Sequence, residues 1–126
     1  MNGGDFHPWV YPGLGEVGKS VHMARLTSRV ADRAGLDFEE ILSPCRRREL
    51  VTARYALYYL FVRREKKTYK RVGAFFNRDH STVVHGVKTW TDLITVGDAE
   101  AWEMQQIVNS VYHQLIFLDN GEEETP

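Results

Sequence analysis

Two helical patterns joined by a very short connection constrain the fold of this chain more than any other feature. Residues 69–76 and residues 80–94 both carry apolar side chains at helical spacing. Thr68 and Asp79 precede them and are suited to accept hydrogen bonds from the first N–H groups of a helix. Asn77 lies between the two and tolerates the positive φ that often ends a helix. The segment therefore predicts a helix–turn–helix.

The second of these helices has two chemically different sides. At ~100° per residue, one side is apolar and contains Val83, Val84, Val87, Trp90 and Ile94. The other side contains Ser81, His85 and Lys88. We expect the apolar side to pack on the rest of the domain and the polar side to be exposed.

The rest of the chain also has helical patterns. We expect helices at residues 20–34, 37–42 and 49–64, and a last helix from about 98 to 118. Residues 49–64 are apolar on most sides, which predicts a central helix with neighbours all around it. Because no segment alternates as a strand does, the expected fold class is all-α, a helix-turn-helix bundle of about five to six helices.

Composition and length predict one domain with flanking segments. We expect residues 1–18, rich in Gly and Pro, to be irregular, residues 19–118 to form the domain, and residues 119–126 to form an acidic tail. No apolar run approaches the ~20 residues of a membrane span. Residues 1–5 lack the charged and apolar regions that we expect of a signal peptide, the single cysteine excludes an internal disulfide, and no Cys/His set has zinc spacing. We therefore expect a cytoplasmic protein without a metal, a cofactor or a small-molecule substrate.

The charge of the chain is segregated along its length. Residues 45–88 hold 12 basic and 3 acidic side chains, a net charge of +9, although the whole chain carries −1. Residues 1–44 carry −2, and residues 89–126 carry −8 and have no Lys or Arg. Such a basic segment suits a polyanion, although many charge runs are only solvated helix faces. Here the basic segment coincides with the helix–turn–helix, which favours nucleic acid.

The residues at the start of the second helix have the chemistry of a DNA recognition helix. Arg78 can clamp a phosphate or pair with guanine, and Asp79 can accept from a cytosine amino group or only cap its helix. His80 and Ser81 can each donate or accept a hydrogen bond, and Thr82 offers a hydroxyl to a phosphate and a methyl to thymine. Capping alone would explain this pattern about equally well. The neighbouring helix and the arginines upstream favour DNA binding.

These residues also resemble a known family. The stretches are Val30-Ala31-Asp32 to Ile41-Leu42-Ser43, Arg46-Arg47-Arg48 with Arg54, Val72-Gly73 to Phe76, and residues 78–85, Arg-Asp-His-Ser-Thr-Val-Val-His. They resemble the C-terminal, box-binding domain of the bacterial replication initiator DnaA. The resemblance implies a Trp-repressor-like helical fold and sequence-specific binding to a short A·T-rich box in duplex DNA. It also implies that Asp79, His80 and Ser81 contact bases, and that Arg78 and Thr82 contact the backbone.

Two positions depart from the family pattern. The family has two glycines before the Arg-Asp-His sequence, where this chain has only Asn77, so the turn is one residue shorter. Thr52 stands where the family places an arginine in the minor groove, and arginines at 46–48 or 54 could substitute for it. The side chains that we expect along the DNA backbone or in the minor groove are Arg46, Arg47, Arg48, Arg54, Lys67, Arg78, Thr82, His85 and Lys88.

A second motif points to a different function. Residues 13–20 match the phosphate-binding loop G-x-x-x-x-G-K-[ST] letter for letter. The motif counts only when the loop follows a buried strand and opens a helix, and no strand is predicted before it. Because the structural context that the motif requires is not predicted here, we reject this interpretation.

The sequence thus predicts a non-enzymatic, sequence-specific binder of duplex DNA, in the nucleoid and acting in replication initiation or its regulation. It would be a DnaA-like box-binding domain that stands without the ATPase. The alternatives are a transcriptional regulator or a protein-interaction adaptor on the same fold, and, weakly, a nucleotide binder. A protein partner is a further alternative. We expect Trp9 and Tyr11 to fold back on the helices, and the alternative is that they form a docking segment for a partner.

Overall fold

Six α-helices form the fold. The computed structural model describes the backbone of residues 15–119 and the side chains of residues 22–116. The helices are α1 (Gly15–Ala34), α2 (Phe38–Leu42), α3 (Arg48–Tyr59), α4 (Tyr69–Phe76), α5 (His80–Val96) and α6 (Ala99–His113). π-Helical turns extend α3 over Leu60–Arg64 and α6 over Gln114–Asp119. Residues 15–119 contain no strand, which confirms the all-α class.

The central position of α3 follows from its apolar surface. It packs against α5 and α6, while α5 also packs on α4 and α6 also packs on α1. Tyr58, Phe61 and Phe76 are among the large side chains that this arrangement buries completely. Trp90 of α5 is equally buried, and its indole Nε1 donates a hydrogen bond of 2.9 Å to Gln105 of α6. This bond satisfies the one polar group that the buried indole carries.

Most helix boundaries follow from single residues. Gly35, Asn77 and Gly97 end their helices in the left-handed conformation, with φ of 73°, 60° and 78°. The side chains of Thr68 and Asp98 accept cap hydrogen bonds from the backbone N–H groups of Arg71 and Ala101. Asp37 precedes α2, so this helix begins one residue later than expected, and the Asp37 side chain accepts no cap bond.

The first helix begins earlier than predicted. α1 starts at Gly15, so the last residues of the segment expected to be irregular are helical. Residues 15–20 of the phosphate-loop motif lie inside this helix, whereas residues 13 and 14 lie outside the described residues. Trp9, Tyr11 and the tail beyond residue 119 also lie outside the described residues. None of the described helices is both long enough and apolar enough to cross a bilayer.

One carboxylate joins three parts of the fold. Glu65, at the end of the π-helical turn, accepts a hydrogen bond of 2.6 Å from the hydroxyl of Tyr112 in α6. Its other oxygen lies 3.5 Å from Nε2 of His22 in α1 and 3.6 Å from Nζ of Lys67. The hydrogen bonds with His22 and then with Tyr112 lower the pKa of Glu65 to about 2, although burial acts in the opposite direction. Burial and the bond to Glu65 raise the pKa of Tyr112 to about 12.

The position of Lys67 in this cluster argues against its predicted contact with DNA. The side chain of Lys67 is only 8% exposed, and its ammonium group is held beside Glu65. An ammonium group with a carboxylate neighbour and little access to solvent has no room to approach a phosphate. We therefore do not include Lys67 among the DNA contacts.

Candidate nucleic-acid interface

The turn between α4 and α5 consists of three residues, Asn77 to Asp79. Asn77 adopts φ 60° and ψ 44°, and its N–H donates to the carbonyl of Ala74 at 3.3 Å. The N–H of Arg78 donates to the carbonyl of Gly73 at 2.7 Å. This pair of bonds is the Schellman arrangement that closes many helices. It confirms the left-handed conformation predicted for Asn77. It also shows how Asn77 alone reverses the chain at the position where the family pattern has two glycines.

Gly73 allows this turn to lie close against α4. A Cβ atom at position 73 would stand 2.5 Å from the carbonyl oxygen of Arg78 and 3.3 Å from that of Asp79. Both neighbours are backbone atoms, so neither can move aside without opening the turn. Sequence analysis did not find this requirement. The available signal was a glycine inside a helical pattern, which often marks a close approach.

Asp79 is the N-cap of α5, as predicted. Its Oδ1 accepts hydrogen bonds from the Thr82 N–H at 3.1 Å, the Thr82 hydroxyl at 2.9 Å and the Ser81 hydroxyl at 3.0 Å. These bonds, those of Thr82 first, lower the pKa of the Asp79 carboxyl group. Its Oδ2 accepts no hydrogen bond from the described residues. One oxygen therefore caps the helix while the other still faces outward, so capping and a base contact are compatible.

The outward face of the first half of α5, residues 80–88, is polar except for one residue. His80, Ser81, His85 and Lys88 are exposed as expected, and Thr82 is half-buried beside Asp79. Val84, predicted to lie on the buried side, is 41% exposed. That prediction was wrong because the buried stripe consists of Val83, Gly86, Val87 and Trp90. Gly86, Val87 and Trp90 fall within ~60° of Val83 around the helix, whereas Val84 lies ~100° away.

Gly86 sets this orientation of α5. A Cβ atom there would stand 2.5 Å from Cδ2 of Tyr58 and 3.0 Å from Cδ1 of Tyr55, both in α3. The missing side chain lets the backbone of α5 rest on the two rings, which turns Val84 toward solvent. A glycine has no side chain to contribute to an apolar pattern, so the buried position of Gly86 was not predicted from the sequence.

Two arginines meet at the carbonyl oxygen of Ser43, which follows α2. Nη2 of Arg78 donates to it at 2.7 Å and Nη2 of Arg54 donates to it at 2.8 Å. Arg54 also donates to the carbonyls of Ile41 at 2.6 Å and Glu40 at 3.0 Å, and Arg78 donates to that of Phe76 at 3.0 Å. The two guanidinium groups thus tie the end of α2 to the turn of the helix–turn–helix.

The same bonds decide which of these arginines can meet DNA. Arg54 is 4% exposed, and burial followed by the charge of Arg78 lowers its pKa. Its guanidinium is held by hydrogen bonds to main-chain carbonyls at the end of α2. The prediction that Arg54 contacts DNA is therefore dropped. Arg78 is half-buried, and its two hydrogen bonds use only two of the five N–H donors of its guanidinium group. It can hold the turn and reach a phosphate at the same time.

The basic loop, residues 46–48, lies just beyond Ser43 and is exposed. Arg47 pairs with Glu40 at 3.1 Å, and Nε of Arg48 pairs with Oε1 of Glu100 at 2.7 Å. Arg46 has no ion pair with any residue that the structure describes. Exposed pairs of this kind contribute only ~0–1 kcal/mol and can be exchanged for phosphate contacts.

Thr52 lies next to this loop. It lines a shallow groove together with Arg46 and Arg48, and its hydroxyl donates to the carbonyl of Arg48 at 2.9 Å. An arginine from the loop therefore lies close to the position where this chain has a threonine. In the residues that the structure covers, no group of three or more His, Cys, Asp or Glu could hold a metal ion.

Comparisons with known proteins show the family of this chain. The family model of the bacterial dnaA protein helix-turn-helix matches residues 23–89. The chain is similar to chromosomal replication initiator protein DnaA 2 of Chlamydia caviae, with 29% identity over 85% of this chain and 25% of that protein. It is also similar to the DnaA proteins of Synechocystis, with 36% identity over 68% of this chain and 19% of that protein, and of Mycoplasma pneumoniae, with 31% over 74% and 20%. The chain thus spans a quarter or less of the length of these relatives. No solved structure gives a significant match.

Proposed function

The chain belongs to the family of the bacterial DnaA helix-turn-helix, and from this premise we propose that it binds duplex DNA sequence-specifically through the N-terminal half of α5. One observation carries the proposal. The exposed first turns of α5 and the basic loop are held in fixed relation, because Arg54 and Arg78 both donate to the carbonyl of Ser43. A recognition helix and a basic loop can then contact one duplex together.

The proposed contacts divide into two groups. The base contacts are His80, Ser81 and the free oxygen of Asp79, which lie at the helix start where only a few residues reach base edges. The contacts to phosphates and the minor groove are Arg46, Arg47, Arg48, Arg78, Thr82, His85 and Lys88. Backbone contacts of this kind fix the position of the protein, while the base contacts select the sequence. An A·T-rich box is the target that we propose.

In the cell, we propose a role in replication initiation or its regulation. The relatives are replication initiators, and this chain corresponds to their DNA-binding family domain rather than to their whole length. A domain that only binds DNA can mark a site, recruit other proteins to it or block access to it. In each of these roles its effect depends on the affinity ratio between the target and other DNA.

Selection from a random duplex pool, followed by fluorescence anisotropy at two salt concentrations, tests the proposal. We expect one enriched sequence, and an affinity that falls steeply with salt because bound phosphates release counterions. His80→Ala should cost ~1–3 kcal/mol on the enriched sequence and little on unrelated DNA. The matched control is Gln106→Ala, which removes an exposed neutral side chain on α6. Absence of binding to any duplex at low salt would refute the proposed function.

A further inference from the structure

Val84 is an exposed apolar side chain at an unusual place. Within the described residues the large exposed hydrophobic side chains are Val84, Val96 and Trp102. Val96 and Trp102 lie at the C-terminal end of α5 and on α6, away from the turn. Val84 lies in the second turn of α5, on the face that the proposed function assigns to DNA. Its exposure follows from the close packing of Gly86 on Tyr58, not from a local irregularity of the helix.

The neighbours of Val84 define what can meet it. Residues four apart on a helix lie in one row, so Val84 stands directly between His80 and Lys88. Ser81 and His85 lie beside this row on one side, and all four neighbours are exposed. If His80 contacts a base and Lys88 contacts the DNA backbone, Val84 must face the groove between them. Its methyl groups cannot form hydrogen bonds, so they suit only an apolar group there.

The major groove offers one apolar group on its base edges, the C5-methyl group of thymine. We propose that Val84 packs against the methyl group of one thymine in the target and so helps to determine its sequence. This inference rests on the proposed function and adds a specificity contact that the polar residues of the helix start do not provide. It also accounts for a preference for A·T pairs without a further hydrogen bond.

A uracil scan of the selected duplex tests this contact, because uracil differs from thymine only in lacking that methyl group. Each thymine is replaced singly, and binding is measured by anisotropy for the full chain. For the unsubstituted protein, we expect one position at which uracil weakens binding about fourfold, the equivalent of one buried methyl group. For Val84→Ala, binding to the thymine duplex should weaken, and the effect of uracil at that position should disappear. Effects at other thymines should stay unchanged.

Val96→Ala is the matched control, because it is the same substitution at an exposed position on the same helix. It should preserve both the affinity and the uracil effect. If Val84→Ala retains the full uracil effect, or weakens specific and non-specific DNA equally, the inference is overturned. Thermal melting of both variants confirms that they fold. Failure of the pool to yield any preferred sequence overturns the proposed function itself, and the two failures are therefore distinguishable.

Discussion

Replacing Glu65 by glutamine tests how the fold depends on the carboxylate that joins α1, the end of α3 and α6. Its pKa falls from 4.5 to about 2, which corresponds to at most ~3 kcal/mol. The side chain keeps 15% exposure, so solvent screening reduces this value, and we expect Glu65→Gln to cost ~2 kcal/mol at neutral pH. The measurement is the free energy of unfolding in urea.

The same carboxylate predicts how stability depends on pH. Because folding lowers the pKa of Glu65, its ionised form favours the folded state. Its contribution is complete above about pH 4.5 and is lost as the pH falls toward about 2. The free energy of unfolding of the unsubstituted protein should therefore fall more steeply across this range than that of Glu65→Gln, and the two curves should converge at its acid end.

Two variants control for this result. Tyr112→Phe removes one donor to Glu65 and keeps the ring, so its cost at neutral pH should lie below that of Glu65→Gln. Glu103→Gln changes an exposed acid on α6 and should leave both the stability and its pH dependence unaltered. If Glu65→Gln unfolds at the same urea concentration as the unsubstituted protein and follows the same pH curve, the reasoning is refuted.

Three further predictions concern the turn, the arginines and the core. Gly73→Ala should destabilise the fold by ~1–3 kcal/mol, since its Cβ would meet backbone atoms; a higher melting temperature, as helix propensity alone would give, contradicts this. Arg46→Ala and Arg78→Ala should each lower the salt slope of DNA binding by ~1, but only Arg78→Ala should lower the melting temperature, because it removes two hydrogen bonds to main-chain carbonyls, those of Phe76 and Ser43; equal melting temperatures would refute the difference. Thr27→Val should raise the free energy of unfolding by ~1 kcal/mol, because the Thr27 hydroxyl is buried and forms no hydrogen bond with the described residues; a loss of stability in urea would show that the hydroxyl has a partner.

The local features of the helix–turn–helix could be predicted from the sequence because each rests on one residue type. Thr68 and Asp79 cap helices because a short side-chain oxygen reaches the first free N–H groups. Asn77 tolerates the left-handed conformation that ends α4. These preferences act over three or four residues, so they remain visible in the linear sequence.

The features that depend on tertiary packing could not be predicted in the same way. Arg54 resembles a DNA-binding arginine in the sequence, but it is buried because carbonyls from α2, distant along the chain, surround its guanidinium. Val84 fits an apolar stripe by its position, but Gly86 displaces that stripe by bringing α5 onto Tyr58. Lys67 has the charge of a phosphate contact, but Glu65 and the fold around it hold its ammonium group.

The meeting of two guanidinium groups at Ser43 affects how this family domain can vary. The acceptor is a main-chain oxygen, so this contact does not depend on the identity of residue 43, although the Ser43 hydroxyl makes separate hydrogen bonds with the Glu40 carbonyl and the Cys45 N–H. The number of residues between Ile41 and the basic loop is constrained, because an insertion or deletion would move the Ser43 carbonyl away from both Arg54 and Arg78. This contact therefore constrains the length of the loop rather than the identity of residue 43. A graft of α4 and α5 into another scaffold would need this loop with its original length.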